Sequence, residues 1–179
     1  GFYRVTYTGG ENTAPAAAPT GGEAERAQRS ALEAKHQADE GALKLAWPKL
    51  GDPDRFTRWA ARVAVEHQPA STWANQALTE SDPAKQVEAL LALTRITGID
   101  PLHRKPEHPP VDTEMRARLL AALEKCDWTA LNDEQRISLV RALQITLHRF
   151  GRPDEATVQR LVAKFDPVFP AATPELNRL

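Results

Sequence analysis

Apolar positions fall at helical spacing in segment after segment of the chain, and the clearest case is Leu50 to Gln68, LGDPDRFTRWAARVAVEHQ. Phe56, Trp59, Ala60, Val63 and Ala64 recur at i, i+3, i+4, i+7 and i+8, the spacing of a single buried stripe. Asp52 stands as an N-cap, Pro53 suits the first helical position, and Asp54 puts a negative charge in the positive first turn. This pattern predicts a helix that opens at Asp52, buries Phe56 and Trp59, and carries Arg55, Arg58 and Arg62 on a neighbouring face.

The rest of the chain reads as helices beside this one. Glu23 to His36 favours helix with only Ala27, Ala31, Leu32 and Ala34 as apolar contacts, which predicts a half-exposed element. A shorter helix is expected from Asp39 to Leu50, its last turn bent or ended by Pro48. Beyond Pro69, Ser71 or Thr72 is placed to cap a short helix presenting Trp73, Ala77 and Leu78. Asp82-Pro83 repeats the Asp52-Pro53 signal, and Val87, Leu90, Leu91, Leu93 and Ile96 form a stripe wide enough to require deep burial. Gly98 suits a helix end, and the following IDPLHRKPEHPP, with four prolines and no periodicity, reads as a surface loop. Asp112 opens a helix with Met115, Leu119, Leu120, Ala122 and Leu123 inward. Asn132 and Gln135 make a capping-box pattern before Ile137, Leu139, Val140, Leu143, Ile145 and Leu147, which cover most of that helix. Gly151 closes it. Pro153 and Asp154 open a further helix with Val158, Leu161, Val162 and Phe165 inward, stopped by Pro167 and Pro170.

The N-terminus differs. Phe2 to Thr8 alternates, with Tyr3, Val5 and Tyr7 on one face, and is expected to be a strand, the last of a preceding β domain over residues 1–10. Residues 11–22, ENTAPAAAPTGG, have linker composition, which places the helical domain at 23–179. About eight helices with short connections predict an all-α fold. The Asp52-to-Asp82 interval does not recur cleanly, so the expected architecture is a HEAT/armadillo-like α-solenoid of irregular helical hairpins, with a compact bundle as the alternative.

Composition narrows the chemistry. With 179 residues and a net charge of −1, the chain has no general basic field, which argues against a dedicated nucleic-acid binder. The single Cys126 forms no internal disulfide and, without a CxxCH, no covalent haem site; a small buried residue on a helix face is the expected role. No apolar run approaches the roughly 20 residues that span a bilayer, and GFYRVTYTGG lacks the regions of a signal peptide. Since it also lacks an initiator Met, the chain is expected to be a piece of a longer protein. There is no G-x-S-x-G, H-E-x-x-H, P-loop or dinucleotide fingerprint.

Two resemblances add to this. LGDPDRFTRWAAR resembles the HEAT-repeat signature, in which an Asp at the helix opening and an Arg six positions on, here Asp52 and Arg58, join a polar ladder between stacked repeats. Glu88 stands where the second repeat should carry its Arg. The order YRVTYTGGENTAP, AWPKLGDPDRFTRWAARVAVEHQP, EALLALTR, QRISLVRALQITLHRFGRP and FPA…LNR is similar to the helical middle region of exported planctomycete-type proteins. Those proteins join a sorbosone-dehydrogenase-like β-propeller to a C-terminal c-type cytochrome domain. The resemblance implies a periplasmic or otherwise exported setting, Phe2 to Thr8 as the tail of the propeller, and flanking propeller and cytochrome domains as partners. It implies no cofactor in this segment, with haem c only in a downstream domain, and no catalytic residue.

The polar groups have competing readings. Arg55, Arg58 and Arg62 form a row able to bind an anion, as in HEAT-like DNA-repair enzymes, but Glu66 is placed to pair with Arg62, and Arg58 to satisfy loop carbonyls or Asp carboxylates. His103, Glu107 and His108 have zinc-ligand chemistry but no fourth partner nearby. His36, His67 and His148 fit capping or packing, and Trp47, Trp59, Trp73 and Trp128 are expected in the core. The function expected is a non-catalytic helical scaffold or protein-interaction module using Asp52, Arg55, Arg58 and Arg62. The alternative is a HEAT-like nucleic-acid-binding or DNA-repair domain.

Overall fold

A computed structural model describes residues 2–17 and 20–178, and the chain is all-helical, 62% helix with no strand among the described residues. Among the described residues eight α-helices run in order: α1 (Glu23–Glu33), α2 (Ala42–Ala46), α3 (Arg55–Glu66), α4 (Ala74–Thr79), α5 (Pro83–Thr97), α6 (Thr113–Lys125), α7 (Asp133–Phe150) and α8 (Glu155–Phe165). Short 3-10 turns link several of them. No described helix is long and apolar enough to cross a membrane.

Side-chain caps set most of the starts. Asp82 accepts from Lys85 N at 3.1 Å, Asp112 from Met115 N at 2.8 Å, and Asp154 from Thr157 N at 2.9 Å. Asn132 and Gln135 exchange bonds of 3.0 and 2.9 Å in a full capping box. Helix α3, however, opens two residues later than the Asp-Pro signal predicts. Asp54 is its N-cap, accepting from Thr57 N at 2.7 Å, while Asp52 accepts from Asp54 N at 3.0 Å and closes the turn leading in. Neither Ser71 nor Thr72 caps α4. The Thr72 hydroxyl donates to the Pro69 carbonyl at 2.7 Å instead, and Trp73 precedes the helix with no side-chain cap.

Helices α3, α5 and α7 lie side by side and run the same way. Arg58 of α3 and Glu88 of α5 meet near their N-terminal ends, Glu66 and Arg95 near their C-terminal ends, and Thr94 of α5 meets Thr146 of α7 at 3.1 Å. On the other side α4 packs against α5 and α6, and α6 against α7 and α8, while α1 and α2 cover α3. Helix α5 is the centre: every residue from Val87 to Thr94 is buried, Glu88 included. Gly98 lets α7 approach, since a Cβ there would lie 2.6 Å from the Phe150 ring and 2.8 Å from Arg149 Cβ.

The register of α3 differs from the sequence expectation. Its buried stripe is Thr57, Ala60, Ala61, Ala64 and Val65, one residue on from the predicted one, so the inward face is rotated by about 100°. Phe56 is left 54% and Trp59 51% exposed. Packed between α1, α2 and α5, the helix turns its small residues inward because only they let the backbones approach. Helix α7 is likewise less covered than expected, burying Leu139, Ala142, Thr146 and Phe150 but leaving Leu147 exposed.

Phe2 to Thr8 forms no strand: a strand needs a ladder partner, none exists among the described residues, and Phe2, Tyr3 and Val5 stand fully in solvent. The linker reading over 11–22 falls partly on Ala18 and Pro19, which lie outside the described residues, as do Gly1 and Leu179 of the flanking assignments. The described part of 11–22 is exposed and carries no helix or strand.

Leu90→Ala, at a fully buried site in α5, is expected to lose about 2–5 kcal/mol in urea unfolding, and Trp59→Ala only a fraction of that. The Asp54 and Asp154 carboxyls are held below their ordinary value of 3.8, first by the backbone N–H groups of Thr57 and Thr157. Groups depressed in this way stabilise the fold above the unfolded value and lose that contribution as pH falls through the folded one. The urea midpoint is therefore expected to fall below about pH 4, and Asp54→Asn with Asp154→Asn, which keep the acceptor without titrating, to flatten part of the decline.

Candidate functional site

The face formed by α3, α5 and α7 carries a ladder of alternating charges. Arg58 gives Nη1 to the backbone carbonyls of Asp52 and Pro53 at 2.7 and 3.4 Å, places Nε 3.6 Å from Glu88, and gives Nη2 to Glu134 of α7 at 2.7 Å. Arg62 gives Nη1 to Glu66 at 2.8 Å, and Glu66 also accepts from Arg95 Nε at 2.8 Å. Arg62 Nε lies 3.1 Å from Glu88 but out of line for a hydrogen bond, so that contact is charge to charge. Ser138 of α7 completes the cluster by donating its hydroxyl to Glu88 at 3.3 Å. One carboxylate on α5 thus joins three helices.

Burial grades this ladder. The side chains of Arg58, Arg62, Glu66 and Glu88 are 8–12% exposed, whereas Glu134 is 60% exposed. Burial pushes the Glu88 carboxyl above its usual range, against the pull of the Arg62 and Arg58 guanidiniums.

Above the ladder lies an open groove of about 650 Å³. Phe56 and Trp59 form its α3 wall, Leu91 its floor and Ile137 part of its α7 wall. The Arg55 guanidinium sits 5.2 Å over the Phe56 ring and has no carboxylate partner among the described residues. Trp59 is held edge-on to His36 at 6.2 Å, and His36 stacks on His67 at 5.9 Å while its Nε2 meets the Ala60 carbonyl at 2.9 Å. Trp59 is therefore braced by the His36–His67 stack.

The sequence-derived candidates divide. Arg55, Arg58 and Arg62 do share a face and Glu66 does pair with Arg62, but the row is not free: only Arg55 lacks an acidic partner. Asp52 meets Arg58 through its backbone carbonyl; its carboxylate takes Lys49 at 3.2 Å and Gln28 at 3.4 Å. Glu88, which stands where the HEAT-repeat resemblance expects an Arg, is the counter-ion of Arg58 and Arg62. A lone acid in the buried run VEALLALT was the available signal. His103, Glu107 and His108 are not gathered into a site. The Nδ1 of His108 accepts from Lys105 N at 3.1 Å, His103 lies beside Asp100, and no three potential ligands meet among the described residues.

The remaining candidates are structural. Trp47 and Trp73 are buried edge-on to each other at 6.2 Å, and Trp128 packs between Phe165 and Phe169, so Trp59 alone of the four lies half in solvent. Cys126 is buried and its thiol is pushed up to about 11 by that burial, which keeps it protonated and inert.

Arg62→Leu strips a counter-ion from buried Glu88 and is expected to destabilise by about 3 kcal/mol at pH 7. The Glu88 carboxyl then rises further, so the deficit is expected to shrink as pH falls and the group takes up a proton. Adding Glu88→Leu is expected to recover most of the loss, whereas Glu134→Gln alone should change stability by less than about 1 kcal/mol. Urea titrations of the unsubstituted chain and these three variants at pH 7 and at about pH 5 provide the check. Comparison of the chain with protein-family models, curated proteins and solved structures finds no match.

Proposed function

We propose that the chain is a non-catalytic, HEAT-like helical module that docks a partner polypeptide on its α3–α5–α7 face. Two features support the solenoid reading. The inner row α3, α5 and α7 runs parallel, and each of α5 and α7 packs against the helix before it, α4 and α6, which also touch each other. Stacked hairpins of this kind present a rigid surface without chemistry of their own. The observation that carries the docking role is the half-exposed pair Phe56 and Trp59 beside a pre-formed Arg–Glu ladder. Aromatic and Arg side chains on a fixed helix are the usual anchors of protein interfaces.

In the wider reading, which rests on the resemblance alone, the module spaces a β-propeller and a haem-bearing cytochrome domain of an exported oxidoreductase-like protein. The nucleic-acid alternative has less support, because Glu66, Glu88 and Glu134 neutralise most of the Arg row. Hydrogen–deuterium exchange is expected to show slower exchange in α3 and α7 in the full open reading frame than in the isolated chain. Unchanged exchange, together with submicromolar duplex DNA binding at about 0.15 M salt that is lost in Arg55→Glu, would overturn the proposal.

A further inference from the structure

We infer that the groove between α3, α5 and α7 takes an acidic peptide segment, with carboxylates next to an aliphatic or aromatic side chain, and that Glu134 occupies the ligand's place in its absence. This rests on the reading of the face as a polypeptide-binding surface and names the partner's chemistry.

The donor inventory leads there. Arg58 has committed Nη1 to two carbonyls and Nε to Glu88, and all three acceptors are fixed by the fold. Its Nη2 is held only by Glu134, whose side chain is 60% exposed. An exposed pair of this kind contributes little, so another carboxylate can take its place at small cost. Three residues away, exposed Arg55 offers a whole guanidinium whose one contact is the Phe56 ring. Between and behind these two cations are Phe56, Trp59, Leu91 and Ile137, which accept an apolar side chain and, apart from the Trp59 indole N–H, offer a carboxylate no donor. Among the charged side chains that line the groove, Arg55, Arg58 and Arg62 outnumber Glu88 and Glu134, and a basic ligand meets acids that already hold arginines.

The indole N–H of Trp59 has no acceptor among the described residues, which makes its ¹⁵N–¹H resonance a reporter at the groove wall. It is assigned by its disappearance in Trp59→Phe. The probes are the capped peptide Gly-Asp-Leu-Glu-Leu-Gly, its Asn/Gln counterpart and a short oligothymidine. The acidic peptide is expected to move the resonance saturably, at least about tenfold more tightly than the amide version, and Arg55→Glu to weaken it by about tenfold. Glu134→Gln, which removes the competing carboxylate, is expected to tighten it about two- to fivefold. Both substituted residues are exposed, and circular dichroism verifies that the variants fold.

Equal binding of the two peptides, or no gain from Glu134→Gln, overturns the acidic specificity while leaving a polypeptide-binding face. Tighter binding of oligothymidine overturns it in favour of nucleic acid, and a shift with protein concentration alone in favour of a second copy of the chain. If no probe moves the resonance and the full open reading frame shows no slowed exchange, the face itself fails.

Discussion

The Glu88 carboxylate, buried in the central helix between the guanidiniums of Arg58 and Arg62, is the constraint on which the arrangement of α3, α5 and α7 turns. A charge at such a site is tolerable only with partners in place, and those partners come from a different helix. Satisfying it fixes which turn of α3 faces which turn of α5. The Ser138 hydroxyl adds the same requirement from α7. Burial still outweighs the two cations, since the carboxyl titrates above its usual range, so the cluster contributes less to net stability than to alignment. A second polar pin, Thr94 to Thr146, holds the far ends of α5 and α7.

With that alignment in place, the path of α3 is explained by size. Its inward stripe is Thr and Ala with a single Val, which lets it sit close against α1 and α2 on one side and α5 on the other. Had Phe56 and Trp59 turned inward, the axes would be forced apart and Arg58 and Arg62 carried away from Glu88. The two aromatics are therefore outside because the charge cluster and the small-residue stripe both require the same rotation.

This also shows what the sequence could and could not reveal. Local signals were legible: Asp82, Asp112, Asn132 and Asp154 cap the helices they were expected to cap, because an N-cap bond closes within three residues and needs no distant partner. The deep burial of α5 was legible too, since nearly every position from Val87 to Leu93 is apolar. The face of α3 was not. The stripes 56-59-60-63-64 and 57-60-61-64-65 have the same periodicity, and bulk favoured the wrong one; the choice depends on Glu88, about thirty residues away. Similarly, the alternation of Phe2 to Thr8 records strand propensity, but a strand exists only with a neighbour to bond to.

The candidate site was half legible for the same reason. That Arg55, Arg58 and Arg62 share a face follows from spacing, but their availability is a tertiary property set by Glu66, Glu88 and Glu134. The most informative position is Glu88, where the chain departs from the repeat pattern it otherwise resembles. In a ladder of arginines alone, each guanidinium would seek solvent or an external anion. An acid on α5 internalises that demand, leaving Arg55 without an acidic partner among the described residues and the outer arm of Arg58 held only by exposed Glu134. Because both aromatics beside them are held on a helix and Trp59 is backed by His36, an incoming segment would lose its own conformational freedom but would not have to order the wall it meets.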